Sequence, residues 1–309
     1  MELEIAMNPA AEPSVSVIIP VYNGIEVIEK CLDSVLAQAY RDFEVIAVDD
    51  RSSDGSSDLI SRKYPRVRLM RMKRTRGFAG AVNAGIKSSG AEIVVLLNMD
   101  TVVSPDWLGP LVHALCMDEA VGLVGSKILS EDGKTLQHAG GKLLENGLPI
   151  HIGRGEIDHG QYDRPADVDY LCGASLGFRR RTLEGLGFFD EGYRPLYFED
   201  TDMAFRMRRK GLRVVYIPAS TLIHKENISS NGLSGRFYYC FHKSRLRFVF
   251  KNLGIKDNMR TFLSREKEWF LKELPPGMRP ALLKAYAAAL PVAAGAIIKR
   301  GFNTIMKDE

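Results

Sequence analysis

Polar residues able to do chemistry gather at a few places: Tyr22-Asn23, Asp49-Asp50, Asn98-Met99-Asp100, and Glu199-Asp200 with Asp202 close behind. A hard divalent cation takes carboxylate oxygens and commonly completes its shell with substrate phosphates. Acids distributed in this way suit a metal that bridges a diphosphate leaving group. Two other chemistries lose support: no G-x-G-x-x-G follows the first apolar run, and no G-x-x-x-x-G-K-[ST] occurs anywhere. Aspartates after a strand also serve as turn and cap residues, so position alone does not assign them.

The first hundred residues supply a scaffold for these groups. Val15 to Pro20, Phe43 to Val48, Val67 to Met72 and Glu92 to Leu97 are short, largely apolar runs, and Val27, Ile28, Cys31, Leu32, Val35 and Leu36 repeat at helical spacing. Ser52-Ser53-Asp54-Gly55 provides turn and cap residues for a second helix, and Gly77 to Ile86 reads as a third. Ser104-Pro105 predicts the start of a fourth, with a cap followed by Pro at the first position. Apolar strands separated by helices predict an α/β fold with a mostly parallel sheet covered on both faces. Such sheets bind ligands beyond the C-terminal ends of their strands, where the first three polar groups fall.

From about residue 120 the runs shorten and glycines multiply, with Val121 to Leu129, Gly140 to Gly155 and Val168 to Phe178 as candidate strand regions. Glu199 to Lys210 predicts a helix with an acidic first turn and a basic last turn, stopped by Gly211 and followed by a strand from Arg213 to Pro218.

The 309 residues, 45% hydrophobic and 26% charged, fit a globular chain and exclude a fibrous or largely disordered one. Cys31, Cys116, Cys172 and Cys240 are far apart and form no C-x-x-C, which argues for free thiols in a reducing compartment. The opening residues MELEIAMNPAAEPS do not resemble a secretory signal, and the expected location is the cytoplasm. No run of 18 apolar residues exists; the nearest is the uncharged stretch Ala285 to Ile298, of 14 residues. Formal net charge is +4, yet residues 236–272 hold ten Lys or Arg against three acids, a local charge of +7, interleaved with Phe237, Tyr238, Tyr239, Phe241, Phe248, Phe250, Trp269 and Phe270. Two readings remain for that stretch: a solvated helical face over apolar core, or a surface that meets anionic lipid at the inner face of a membrane.

Five ordered segments carry a resemblance: SVIIPVYNG at 16–24, VDDRSSDGS at 48–56, GFAGAVNAGI at 77–86, LLNMDTVVSPDWL at 96–108 and GFFDEGYRPLYFEDTDMAFRMRRKG at 187–211. In order and spacing they resemble the family 2 glycosyltransferases of the GT-A fold, over about Ser14 to Asn252. The resemblance implies a GT-A, Rossmann-like domain over 14–235, preceded by an extension at 1–13 and followed by a C-terminal helical segment at 236–309. It implies an inverting transfer of one sugar from a UDP, dTDP or GDP sugar to a glycan or lipid-linked acceptor, as in bacterial surface polysaccharide synthesis, and no nucleic-acid partner.

Carried over residue by residue, the family pattern sets Asp49 and Asp50 on the nucleotide base, with Pro20, Tyr22 and Asn23 lining the same pocket. Its D-x-D motif reads Asn98-Met99-Asp100 here, so Asp100 would bind the divalent metal, Mn²⁺ or Mg²⁺, while Asn98 offers a neutral amide in place of the first acid. His224 resembles a histidine that many relatives place on the metal. Arg76 adds positive charge near the expected diphosphate. Asp200 is the expected base and Glu199 its catalytic neighbour; one base suffices because a metal-held diphosphate leaves without an acid, unlike the leaving group of a glycosidase. Glu199 and Asp202 also fit as favourable charges in a helix first turn. Two other functions fit less well. A donor-binding protein with weak catalysis is kept open by Asn98, and a sugar-nucleotide nucleotidylyltransferase would need a Gly-rich, Arg-containing loop where Pro20-Val21-Tyr22-Asn23-Gly24 stands.

Overall fold

A computed structural model of the chain describes residues 14–225, 235–253 and 255–291. The expected extension at 1–13 and the uncharged run beyond residue 291 lie outside these. Strands β1 (Val15–Val21), β2 (Phe43–Asp49), β3 (Val67–Arg71) and β4 (Ile93–Leu97) run parallel in the spatial order β4-β1-β2-β3. Between them lie α1 (Ile28–Leu36), α2 (Ser56–Lys63) and α3 (Gly77–Ser88). The alternation of side chains along each strand divides the apolar residues between two layers. Val15, Val17, Ile19, Val45, Ala47, Val95 and Leu97 pack with the buried faces of α1 and α2, whereas Ile18, Ile46, Val48, Val94 and Leu96 pack with α3. A sheet buried on both faces explains why its strands read as continuous apolar runs.

The second half completes this sheet. After β5 (Thr101–Val103) and α4 (Leu108–Met117) come β6 (Val121–Leu129), β7 (Leu136–His138), the hairpin β8 (Gly141–Leu143) and β9 (Pro149–His151), β10 (Ala166–Asp167) and β11 (Ser175–Arg179). Then follow α5 (Arg180–Leu186), α6 (Glu199–Arg209) and β12 (Arg213–His224). Strand β11 is antiparallel to both β4 and β6, and β12 runs parallel to β6.

Two boundaries differ from those expected. Helix α4 begins at Leu108 rather than beside Ser104, because the Ser104 N–H is drawn to the Thr221 carbonyl and its own carbonyl accepts from Gln38 Nε2 and Trp107 N–H. Strand β12 runs past Pro218 to His224. The register jumps from Ile217↔Ser126 to Thr221↔Lys127, so the residue that cannot donate to the ladder sits in a bulge.

The C-terminal region packs α7 (Gly235–Asn252), α8 (Ile255–Lys272) and a helical stretch at 279–291 against the segment leading into α6. None of the eight aromatics singled out in this region is exposed. Several of its cations are also used internally. Arg245 is fully buried and grips Glu266 through both terminal nitrogens (2.5 and 2.7 Å), Arg247 reaches Asp190 at 3.0 Å, and Lys251 reaches Asp190 and Asp202. The solvated-face reading therefore accounts for the aromatics, while Arg236, Arg260 and Lys267 remain exposed. Among the described residues no helix is long and apolar enough to cross a membrane.

Candidate active site

The loops after β1, β2 and β4 meet. Asn23, in the left-handed region at φ 50°, donates its N–H to Ser52 Oγ (2.9 Å) and accepts at Oδ1 from Ser53 N–H (2.8 Å). Asp49 accepts from Ser52 N–H at 3.0 Å. A Cβ on Gly24 would lie 2.5 Å from Met99 Sδ, so the first loop lies directly against the Met99 side chain of the Asn98-Met99-Asp100 loop. Tyr22 stands 52% exposed at the rim, and Pro20 lies partly buried behind it in β1.

Asp50 has a second task besides facing this crevice. Its two carboxylate oxygens accept from Arg76 N–H (2.7 Å) and Gly77 N–H (2.8 Å), which ties it to the N-terminus of α3. Burial pushes its carboxyl above the ordinary value, and these two donors oppose that rise. An ionised carboxylate has acceptor capacity beyond these two bonds. The Arg76 guanidinium is turned to Glu191 at 2.6 Å, so its charge near the crevice is already matched.

The β4 loop is held from both sides. Asn98 N–H donates to the Ala174 carbonyl (3.0 Å) and the Asn98 carbonyl accepts from Thr101 Oγ1 (2.7 Å). Asn98 Oδ1 is buried with no partner in the protein. Asp100 Oδ1 lies 3.2 Å from His224 Nε2, brought there by the β12 extension, whose His224 pairs with Thr101. That spacing suits two neighbouring ligands of one octahedral cation, whose donor atoms sit about 3 Å apart. Among the described residues no cluster of three or more His, Cys, Asp or Glu could hold a metal by itself. One carboxylate, one imidazole and an orphaned amide oxygen nearby fit a divalent ion that takes its other ligands from water and substrate phosphates.

Helix α6 begins abruptly. Tyr197 (φ 80°) and Phe198 (φ 71°) are consecutive left-handed residues, a conformation that costs such side chains roughly 1–3 kcal/mol each. Packing offsets this: Tyr197 lies against Phe237 and Phe241, and Phe198 against Phe241 and Phe248, all on α7. Asp200 accepts from Gly173 N–H (2.8 Å) at one oxygen and from Thr201 N–H (2.6 Å) and Oγ1 (3.2 Å) at the other. Burial raises its carboxyl, and these donors pull it back down. Glu199 is buried, its Oε2 has no partner, and burial with the adjacent Asp200 holds its carboxyl well above the ordinary range. The pair thus divides into a carboxyl with one unpartnered oxygen and a carboxyl with both oxygens hydrogen-bonded. Gly173 and Ala174 join the two halves of the site, since Gly173 holds Asp200 and Ala174 holds Asn98.

Residues 16–187 match the Glycosyl transferase family 2 model. The chain belongs to that family. Over 227 residues this family 2 chain is 31% identical to the O-antigen biosynthesis protein RfbC of Myxococcus xanthus, covering 70% of the chain and 18% of that protein. It is 25% identical over 248 residues to an N-acetylglucosaminyl-diphospho-decaprenol L-rhamnosyltransferase of Mycobacterium tuberculosis, covering 72% and 79%. The first curated relatives it matches are much longer, and it spans 25% and 18% of their lengths. The crystal structure of GalNAc-T7 with UDP, GalNAc and Mn²⁺ superposes with a TM-score of 0.65 at 17% identity, over 90% of this chain and 55% of that one. The fold is the GT-A fold.

Several members of the site carry no motif signal. Gly173 acts through its backbone, and Cys172 N–H bonds His138 Nε2 (3.1 Å), which continues to His151 (2.9 Å). Asp202, whose charge alone suggests only a first-turn role, is a fully buried hub. It accepts from Tyr193 Oη (2.9 Å), Arg206 Nε (2.8 Å), Lys251 Nζ (2.8 and 3.0 Å) and Asn252 Nδ2 (2.7 Å). Gly173-Ala174-Ser175-Leu176-Gly177 has the spacing of a hydrolase nucleophile elbow, yet Ser175 opens a strand, is buried, and accepts from Trp107 Nε1 at 3.0 Å.

Proposed function

We propose that this chain transfers a single sugar, with inversion, from a nucleotide-sugar donor to a hydroxyl of a glycan or lipid-linked acceptor in surface polysaccharide synthesis. The observation that carries the reading is the two-residue bridge Gly173-Ala174, which sets Asp200 and the Asn98–Asp100 loop side by side. In this reading Asp49, Asp50, Asn23 and Tyr22 receive the nucleoside of a UDP, dTDP or GDP sugar. Asp100 and His224 would hold a divalent ion, Mn²⁺ or Mg²⁺, which would supply positive charge to offset the negative charge developing on the departing diphosphate. Asp200 takes the proton of the acceptor hydroxyl as that oxygen attacks the anomeric carbon from the face opposite the diphosphate. Glu199, its carboxyl held above the ordinary range by burial and by the adjacent Asp200, brings an unpartnered Oε2 beside the base. Arg76 and Glu191 keep the mouth of the crevice in place.

Residues 14–235 would then form the transferase domain, and the helices within 236–291 would steady α6 and, through exposed Arg236, Arg260 and Lys267, approach anionic lipid. Asp200→Asn keeps the shape and removes the proton acceptor. Turnover with a matched donor and acceptor should fall by about 10² to 10⁴ while donor affinity stays near wild type. A collapse of donor affinity would instead make Asp200 part of the donor site.

A further inference from the structure

The imidazole of His224 is held between two side chains, and its second partner is Gln137 on β7. Neighbouring Leu136 and His138 turn into the core, and Gln137 points the other way, to the end of β12. Gln137 Nε2 donates to the His224 carbonyl (2.8 Å), and Gln137 Oε1 lies 3.1 Å from His224 Nδ1. A backbone carbonyl only accepts, so the amide atom on it must be the NH₂ group, and the atom facing Nδ1 must be the amide oxygen. An amide oxygen also only accepts. The ring proton therefore belongs on Nδ1, and the Nε2 lone pair points at Asp100 Oδ1, 3.2 Å away. Of the three contacts, a neutral ring satisfies the two at Gln137 and leaves two acceptors facing each other at Asp100. A cation between Nε2 and Asp100 resolves that conflict, as does a second ring proton, and the metal is the resolution that leaves the tautomer set by Gln137.

We infer that Gln137 is the positioning residue of the metal pair: it fixes His224 as the Nδ1–H tautomer and keeps the Nε2 lone pair turned to Asp100. The role resembles a general arrangement in which the second nitrogen of a ligating histidine donates to an outer partner that sets its tautomer. This inference rests on the proposal that Asp100 and His224 hold a metal, and two measurements separate the failure of one from that of the other.

The first reads the metal. Mn²⁺ binding to the full chain, alone and with UDP, dTDP or GDP, is followed by electron paramagnetic resonance in wild type, Gln137→Leu and Gln137→Glu. Gln137→Leu should weaken Mn²⁺ binding about ten- to a hundredfold. Gln137→Glu, which still accepts from Nδ1–H but sets an oxygen against the His224 carbonyl, should recover only part of that loss. Equal affinity in Gln137→Leu and wild type would overturn the positioning role. The second needs no metal. Ring ¹⁵N shifts of His224 are recorded in metal-free protein at about pH 8.5, well above the ordinary imidazole range. Wild type should show the proton on Nδ1, and Gln137→Leu should show it on Nε2, where Asp100 is then the remaining acceptor. The same tautomer in both would refute the inference even if Mn²⁺ binds. The expected switch in a protein that binds no Mn²⁺ would uphold Gln137 and reject the metal reading.

Discussion

Asp202→Ala tests whether the C-terminal helices hold the catalytic helix in place. The Asp202 side chain is 0% exposed and bonded to four groups, one on α6 itself, one in the preceding turn and two on α7. Removing one partner of a buried ion pair costs about 3–5 kcal/mol when the charge left behind stays buried. Here the stranded cations reach solvent, since Arg206 and Lys251 are 18% and 31% exposed, and Lys251 keeps Asp190 at 2.9 Å. Arg206 also keeps the carbonyls of Leu186 and Phe188. The loss should thus sit at the low end, about 3 kcal/mol, with Tyr193 Oη and Asn252 Nδ2 left unsatisfied as its main source. Urea unfolding of the full chain measures it, and activity at a urea concentration far below the transition tells whether α6 has shifted. Lys251→Met alone should cost less, and the double variant should cost less than the sum of the two. A loss under 1 kcal/mol with full activity, or strict additivity of the pair, would show that α7 merely covers α6.

Three further outcomes can be checked independently. Asp100→Ala should abolish the Mn²⁺-dependent rise in melting temperature produced by a nucleoside diphosphate together with nearly all transfer; an unchanged Mn²⁺ dependence would remove Asp100 from the metal site. Burial lowers the His151 ring to about 4 from its ordinary 6.5 and holds His138 well below its own. The unfolded chain therefore takes up protons first as pH falls below about 6.5, and the folded state loses about 2 kcal/mol through the His151 ring by pH 5, with no loss above neutrality. Because Glu199 shifts in the opposite sense, the test compares the pH dependence of wild type with that of His151→Asn, whose curve should be flatter; parallel curves would contradict the buried neutral ring. Co-sedimentation with anionic liposomes should fall as salt rises, through Arg236, Arg260 and Lys267 and the exposed Leu263 and Leu271 on α8. Equal recovery in the supernatant at low and high salt, with anionic and neutral lipid alike, would confine these residues to a solvated face.

The sequence by itself determined the architecture that makes a site possible. Strands such as Ile93–Leu97, apolar at every position, can be satisfied only inside a sheet covered on both faces, and polar residues right after them then emerge at its C-terminal edge. Tyr22, Asn23, Asp49, Asp50, Asn98 and Asp100 were legible for that reason, and Asp200 through the order of motifs. What those groups do with their atoms was decided only by the tertiary structure, because hydrogen-bond partners distant in sequence leave no local pattern. Asp50 is tied to α3 across 26 residues, and Asp202 to Lys251 across 49. The bulge at Pro218 turned an expected strand end into the extension that carries His224 to Asp100. Composition allowed the aromatics and cations of 236–272 either a lipid surface or a core. Only three-dimensional packing turned Phe237, Phe241 and Phe248 inward, because the left-handed residues Tyr197 and Phe198 present their rings to that face of α7.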